Sequence, residues 1–307
     1  MATSGDTELG YTVNQILEEA YDALGVAADG ETLSGNLFAR GKKSLNMLLR
    51  QWQGSGMHLW TMTEGYLFPT KGGESFSLAT ARVVNAYSRT TTSAAASDTD
   101  TTVTLTSVTG ITSGLNIGIL MDDNTMHWTT VDGAPAGNVV TLTDALTGDV
   151  NSGAVVFTHD GTFRACQRIR QVRRIDSSTY EIPMQMYARA DYMALPNKAE
   201  QSVPVAAYVS RQLSASTIYL WPTVNREDIV IPFTYERVIE TVTASTQTLD
   251  VPEYWFPALY LNLAVLLAPK MGTNPQRYQV VLSQAQEALA QAMTFDTEVA
   301  DWRLTCR

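Results

Sequence analysis

YTVNQILEEAYDALGVAADGETLSGNLFARGKKSLNMLLRQWQGSGM, residues 11–57, is the stretch whose reading decides the fold. It reads as two helices joined by a polar loop. Thr12 and Gln15 have the spacing of a capping box, in which a hydroxyl accepts from a free backbone N–H and an amide reaches back to the cap. Tyr11 and Ile16 stand where a hydrophobic staple would close over that cap. Val13, Ile16, Leu17, Ala20 and Leu24 recur at helical spacing and form one apolar stripe. Gly25 followed by Val26 suits a left-handed C-cap with an apolar residue behind it. The second helix is expected from Ser34 to Gln53, with Gly54 ending it. Leu37, Phe38, Gly41, Leu45, Leu48, Leu49 and Trp52 fall on one face, and Arg40, Lys42, Lys43, Asn46 and Arg50 on the other. A helical hairpin with one apolar face per helix is incomplete and needs a partner surface.

The far end of the chain supplies that surface. Pro252 or Pro257 suits a first helical turn, where a missing N–H costs nothing. Leu259, Leu263, Leu266 and Leu267 then define an apolar helix ending near Met271–Gly272. Asn274–Pro275 reads as an N-cap with proline at the first position. Tyr278, Val281, Leu282, Ala285, Leu289 and Met293 form the next stripe. The expectation is one discontinuous helical bundle, residues 12–57 plus 252–295, with Leu17, Leu24, Leu45, Leu48, Trp52, Leu259, Leu263 and Leu282 in its core.

The intervening chain is β material. Residues 58–70 read as extended, 74–89 as a strand pair, and TTTSAAASDTDTT, residues 90–102, as a linker. Short strands follow at 102–108, 115–122, 126–132, 138–144 and 154–160, at a spacing that means a small sandwich or barrel almost without Lys or Arg. The β-branched, aromatic runs from 162 to 240, with prolines at their edges, read as a second antiparallel sheet with irregular connections. The fold class is therefore α+β. Residues 1–90 and 161–307 form the core, with its β region at 58–90 and 162–245, and 91–160 form an inserted β domain.

A net charge of −10 argues against a general nucleic-acid-binding surface and against an anionic membrane as partner. Cys166 and Cys306 stand far apart, unlike a disulfide framework, which points to assembly in a reducing compartment. MATSGDTELG at the start lacks a signal pattern. The longest apolar run, Tyr254 to Ala268, is interrupted by Pro257 and Asn262 and is shorter than the roughly 20 residues of a spanning helix.

Catalytic patterns are lacking. His58, His127 and His159 share no metal-ligand spacing with cysteines or carboxylates. Asp122-Asp123-Asn124 has neither the length nor the closing glutamate of a calcium loop and reads as a turn. No nucleophile elbow or phosphate-cradling glycine loop is present. The sequence points to a non-enzyme that carries no cofactor and no metal. The one unusual charge feature is TFRACQRIRQVRRI, residues 162–175, which holds Arg164, Arg168, Arg170, Arg173 and Arg174, five of the 21 Lys and Arg residues. These arginines either meet carboxylates or nucleic acid of a partner through bidentate bonds, or form a solvated strand face paired with the chain's own Asp and Glu. Ile169, Val172 and Ile175 fall on both parities, so the sequence leaves open which arginines face outward.

Two sets of residues resemble a known family. ALGV (23–26) with LNMLLRQWQGSG (45–56) is similar to the opening of head-to-tail adaptor proteins of short-tailed bacteriophages, a family that includes tail tubular protein A and packaged-DNA stabilisation proteins. EIPM (181–184), YARADYMALPNK (187–198), IYLWP (218–222) and VPEYWFPALYLNLAVLLA (251–268) match the same family in order and spacing. Residues 91–160 and the short stretch after Met293 depart from its small members. The resemblance implies a structural virion protein of the particle neck, assembled in the host cytoplasm. It implies a homo-oligomeric ring of twelve copies between the portal protein and the tail nozzle protein. Such a ring extends the DNA channel, retains packaged DNA, lets double-stranded DNA pass without sequence-specific binding, and offers a platform for tail fibres. The arginines 164–174 would then lie at the subunit or portal interface. Two other classes stand beside it: a carbohydrate- or receptor-binding tail module working through 91–160, and a phage tail hydrolase.

Overall fold

The computed structural model describes residues 10–26, 33–55, 59–176, 180–212 and 215–296; His58 and Cys306 lie outside them. The chain divides into two units. One takes the residues up to Thr61 and from Val238 onward, and the other takes Met62–Arg237.

The first unit is helical. α1 (Val13–Leu24) and α2 (Gly35–Ser55) come from the N-terminal stretch, and α4 (Phe256–Met271) and α5 (Pro275–Phe295) from the C-terminal one; α3 (Arg189–Met193) belongs to the other unit. The capping box forms: Gln15 N–H donates to Thr12 Oγ1 at 3.4 Å, and Thr12 N–H donates to Gln15 Oε1 at 2.8 Å. Two more first-turn donors find carbonyls from the opposite end of the chain, Val13 N–H on Gln247 at 2.9 Å and Asn14 N–H on Ser245 at 3.1 Å. The N-terminal orphan donors that any helix leaves are thus satisfied by a sequence-distant loop.

At the other end of α1, Gly25 takes φ +67°, and Gly25 and Val26 N–H groups return to the Asp22 and Tyr21 carbonyls, the Schellman pattern. Arg277 of α5 completes this terminus by donating to the Ala23 and Asp22 carbonyls at 2.8 and 2.7 Å. Glycine suits this position because of its positive φ; a Cβ at residue 25 would also push the Arg277 guanidinium, 2.3 Å away, off its place.

Val13, Ile16, Leu17, Ala20, Leu24, Leu45, Leu48, Leu49, Trp52, Leu259, Leu263 and Leu267 share one buried cluster, so the two sequence-distant helix pairs make a single core. Each fully buried leucine in it contributes about 1.5–3 kcal/mol. Helix α4 is apolar on most of its circumference and touches α1, α2 and α5, as a central helix must. Trp255, fully buried, has the Trp52 and Trp60 rings beside it with centroids 5.1 and 5.2 Å away. One expectation needs correction. Leu282 is half-buried and outside this cluster; α5 reaches it through buried Val281, Ala285 and Ala292, with half-buried Tyr278, Ala288, Leu289 and Met293 packed against them. The polar face of α2 bonds within this unit as well. Asn46 exchanges two 3.0 Å bonds with the Val242 backbone, and Arg50 donates to Thr241 Oγ1 at 2.7 Å.

The second unit holds every named strand. Those before residue 100 are β1 (Met62–Leu67), β2 (Ser75–Ser77), β3 (Val83–Val84) and β4 (Ser88–Thr91). β5 (Thr102–Thr104), β6 (Asn116–Leu120), β7 (Met126–Thr130), β8 (Val139–Thr141) and β9 (Val155–His159) follow. Then come β10 (Cys166–Ile175), β11 (Glu181–Pro183), β12 (Gln185–Tyr187), β13 (Gln201–Ser202), β14 (Ala206–Ser210), β15 (Thr217–Trp221), β16 (Thr223–Val224) and β17 (Ile231–Arg237).

Two larger sheets, ordered β11-β10-β17-β1-β3 and β12-β14-β15-β2, close over Leu67, Ile169, Val172, Ile218, Leu220, Phe233 and Tyr235. Gly65 admits the Phe233 ring, which a Cβ would meet at 2.5 Å. The expected antiparallel pattern is interrupted. β12 pairs with β14 in parallel because residues 188–205, with α3 among them, provide the crossover that parallel strands need. The run 74–89 is not a strand pair: β2 joins β15, β3 joins β1 and β4 joins β9.

A smaller module contains the sheet β4-β9-β6-β7 and the pair β5-β8, which share a core of Val103, Leu105, Ile117, Ile119, Val140, Leu142 and Val156 without closing into a barrel. Residues 90–102 are not a linker but part of this module. Thr92 N–H donates to Ala154, Ser93 N–H to Thr104, and Ala96 exchanges bonds with Val150. Their small polar side chains hid a backbone engaged in pairing.

Strand β9 is buried at all five positions because both its faces are covered. Val156 enters the module's core, while Val155 and Phe157 join Phe68, Val84 and Val230 of the larger sheet region. Glu227 reinforces this join by accepting from Lys71 N–H at 2.7 Å and Met126 N–H at 2.8 Å.

Candidate interaction surface

The arginine strand β10 is positioned by β17 on one side and β11 on the other. Its register on β17 slips twice, between Cys166 and Arg168 and between Ile169 and Gln171. A bulge adds one residue and reverses the facing of the strand beyond it. Ile169 and Val172, of opposite parity, therefore both point into the core. That is why alternation along the strand leaves the facing of the arginines undecided until the bulges are seen.

The five arginines separate into two groups. Arg170 pairs with Glu236, which is only 6% exposed. Arg173 bridges Glu64 of β1 and Glu181 of β11, the latter at 2.7 Å, and so ties strands on either side of β10. Arg174 donates to the Pro204 carbonyl at 2.6 Å. Those three serve the sheet. Arg164 and Arg168 are exposed, and their guanidinium groups have no partner among the described residues. Arg164 is fixed through its backbone instead: its N–H donates to Asn85 Oδ1 and its carbonyl accepts from Tyr235 Oη, at 2.8 and 2.9 Å. Arg211, which follows β14, is also exposed and unpaired, and its charge reaches Cys166 at the start of β10. Only the fold brings Arg211 to this place; no sequence signal marks it.

Other candidates take structural roles. Burial and the nearby Glu236 charge push the Cys166 thiol up to about 12, which makes it inert as a nucleophile. His159 is held down at about 4 by burial, then by Arg82, with Asp160 opposing. Its ring stacks on Phe68, and its Nδ1 accepts from Gly161 N–H at 3.0 Å. His127 Nδ1 lies 3.2 Å from Thr147 Oγ1. Asp122 and Asp123 close turns, accepting from Asn151 N–H and Thr125 N–H. Among the described residues no group of His, Cys, Asp and Glu could hold a metal ion, and no helix is long and apolar enough to cross a membrane.

The charge distribution within this unit is uneven. Residues 90–160 contain eight aspartates, no glutamate, no lysine and no arginine. Asp98, Asp100, Asp122, Asp123 and Asp149 gather at one end, where Asp98 N–H donates to Asp149 Oδ1 and Asp122 N–H to the Asp149 carbonyl. Arg82, outside this segment, instead covers the Trp128 ring at 4.1 Å.

No family model matches the chain, and no curated protein matches it. One solved structure that matches is the Gp54 tailspike of Acinetobacter baumannii bacteriophage AP22 in complex with A. baumannii capsular saccharide. The identity is 14%, the match covers 24% of this chain and 14% of that one, and the TM-score is 0.21. A likeness of that size carries no argument about fold or role.

Proposed function

We propose that this chain is a structural component of a bacteriophage neck: a head-to-tail adaptor that assembles as a ring, with twelve copies the expected number, between portal protein and tail nozzle. The observation that carries the reading is the single helical core built from both ends of the chain, with all the strand material between them in a second unit. That is the layout the resemblance of residues 23–26, 45–56 and 251–268 calls for.

The chemistry of the chain agrees with this reading. A net charge of −10 suits a conduit through which DNA slides, since carboxylates repel phosphates and no condensed counterions are released. A closed ring of like subunits uses heterologous contacts, in which one face complements a different one. The test is to mix the purified chain with the portal of a short-tailed phage and image the product by negative stain. The expected product is a portal with an added ring of density. A chain that neither co-purifies with portals nor forms rings at any concentration defeats the reading.

A further inference from the structure

We propose that the unpaired arginines at the start of β10, Arg164 and Arg168, dock the acidic end of residues 90–160 of a second copy of this chain. The inference deepens the ring reading and rests on it. Its basis is an imbalance that one copy relieves only in part, through Lys71, whose Nζ donates to the Asp123 carbonyl at 2.9 Å. Residues 62–89 and 161–237 carry 13 Lys and Arg against nine Asp and Glu, a net +4, while residues 90–160 carry −8. Arg170, Arg173 and Arg226 already have carboxylate partners in their own copy. Arg164, Arg168 and Arg211 have none among the described residues.

The two patches cannot meet within one chain. β9 starts just after the acidic end, at Val155, and finishes at His159, just before Arg164. Five strand residues separate them, about 17 Å along the strand. Exposed charges that far apart are screened, because the Debye length is about 8–10 Å at ordinary salt. The acidic end also carries its charge at high density, with Asp98 and Asp149 joined through a 2.9 Å bond from the Asp98 amide. Asp98 is exposed, and none of its carboxylate bonding is used in the loop. A guanidinium presented from outside fits such a carboxylate in forked geometry. Because the two patches differ, the contact is head-to-tail, the kind that closes rings.

A charge swap tests this on the full chain. One variant carries Arg164→Glu and Arg168→Glu; the other carries Asp98→Lys. None of these side chains bonds to a described residue of its own copy, so the helix and strand signal and melting temperature of each variant stay those of the parent. By sedimentation velocity at low salt, the parent assembles, and each variant alone needs at least about ten-fold higher concentration to do so. Mixed one to one, the variants assemble again, because glutamates then face lysine and aspartates face arginine in an alternating ring. Either variant assembling as the parent does, or a mixture that stays dispersed, overturns the proposal while leaving the adaptor reading standing. A parent chain that stays monomeric in this assay overturns it too, and the portal-mixing experiment then judges the adaptor reading separately.

Discussion

The helical unit and the strand unit solve the same problem in opposite ways. In the helical unit, residues more than 200 positions apart meet in one apolar core, and its joints are single polar contacts such as Arg277 on the α1 carbonyls and Asn46 on Val242. In the strand unit, cohesion comes from strands covered on both faces, β9 above all, and from salt bridges that span β10. A helix satisfies its own backbone and can be moved as a block. A strand depends on its neighbours for every hydrogen bond. Damage therefore spreads differently: a core change in the helical unit dissolves a bundle, whereas a change in β9 opens two cores at once.

The largest effect should come from Leu48→Asp. It places an unpaired charge at a position only 3% exposed, at a cost of several kcal/mol. Expression should give insoluble protein or a chain with most of its circular-dichroism helix signal lost. A soluble variant of full helix content would show that α2 does not depend on that core. Next is Phe157→Ala, expected to lower stability by about 3–5 kcal/mol, since the ring fills the join between the module and the larger sheet region. Urea unfolding followed by tryptophan emission would measure it, and a loss below about 1 kcal/mol would mean the two cores are independent.

A pH series sharpens the comparison further, because His159 belongs to the strand unit. Its folded pKa, about 4, lies below the unfolded value near 6.5, so the neutral ring is favoured by folding. Its stabilising effect is complete above pH 6.5 and is lost as the pH falls toward 4, by about 3 kcal/mol. His159→Phe should flatten the pH dependence of stability across that window; an unchanged slope would assign it to other groups. The smallest effect expected is from Arg277→Ala, about 1 kcal/mol, from the loss of a charged donor at the C-terminus of α1. Thermal melting would detect it, and a neutral result would mean that Gly25 and Val26 cap that helix sufficiently.

The order of amino acids was enough to settle the four long helices, their ends and their meeting, though not the short α3. Periodicity, the Thr12–Gln15 box, Gly25, Gly272 and Asn274–Pro275 are local signals, and a helix is a local object. It also located the strands between 102 and 160 to within a few residues and marked β10 as the place where the basic charge concentrates. Tertiary structure alone decided the rest. The bulges in β10 sorted its arginines, pairing made a sheet border of an apparent linker at 90–102, a crossover turned β12 and β14 parallel, and folding carried Arg211 to Cys166. Each of these depends on which strand lies beside which. That choice is made by contacts between residues remote in sequence, and no local period records it.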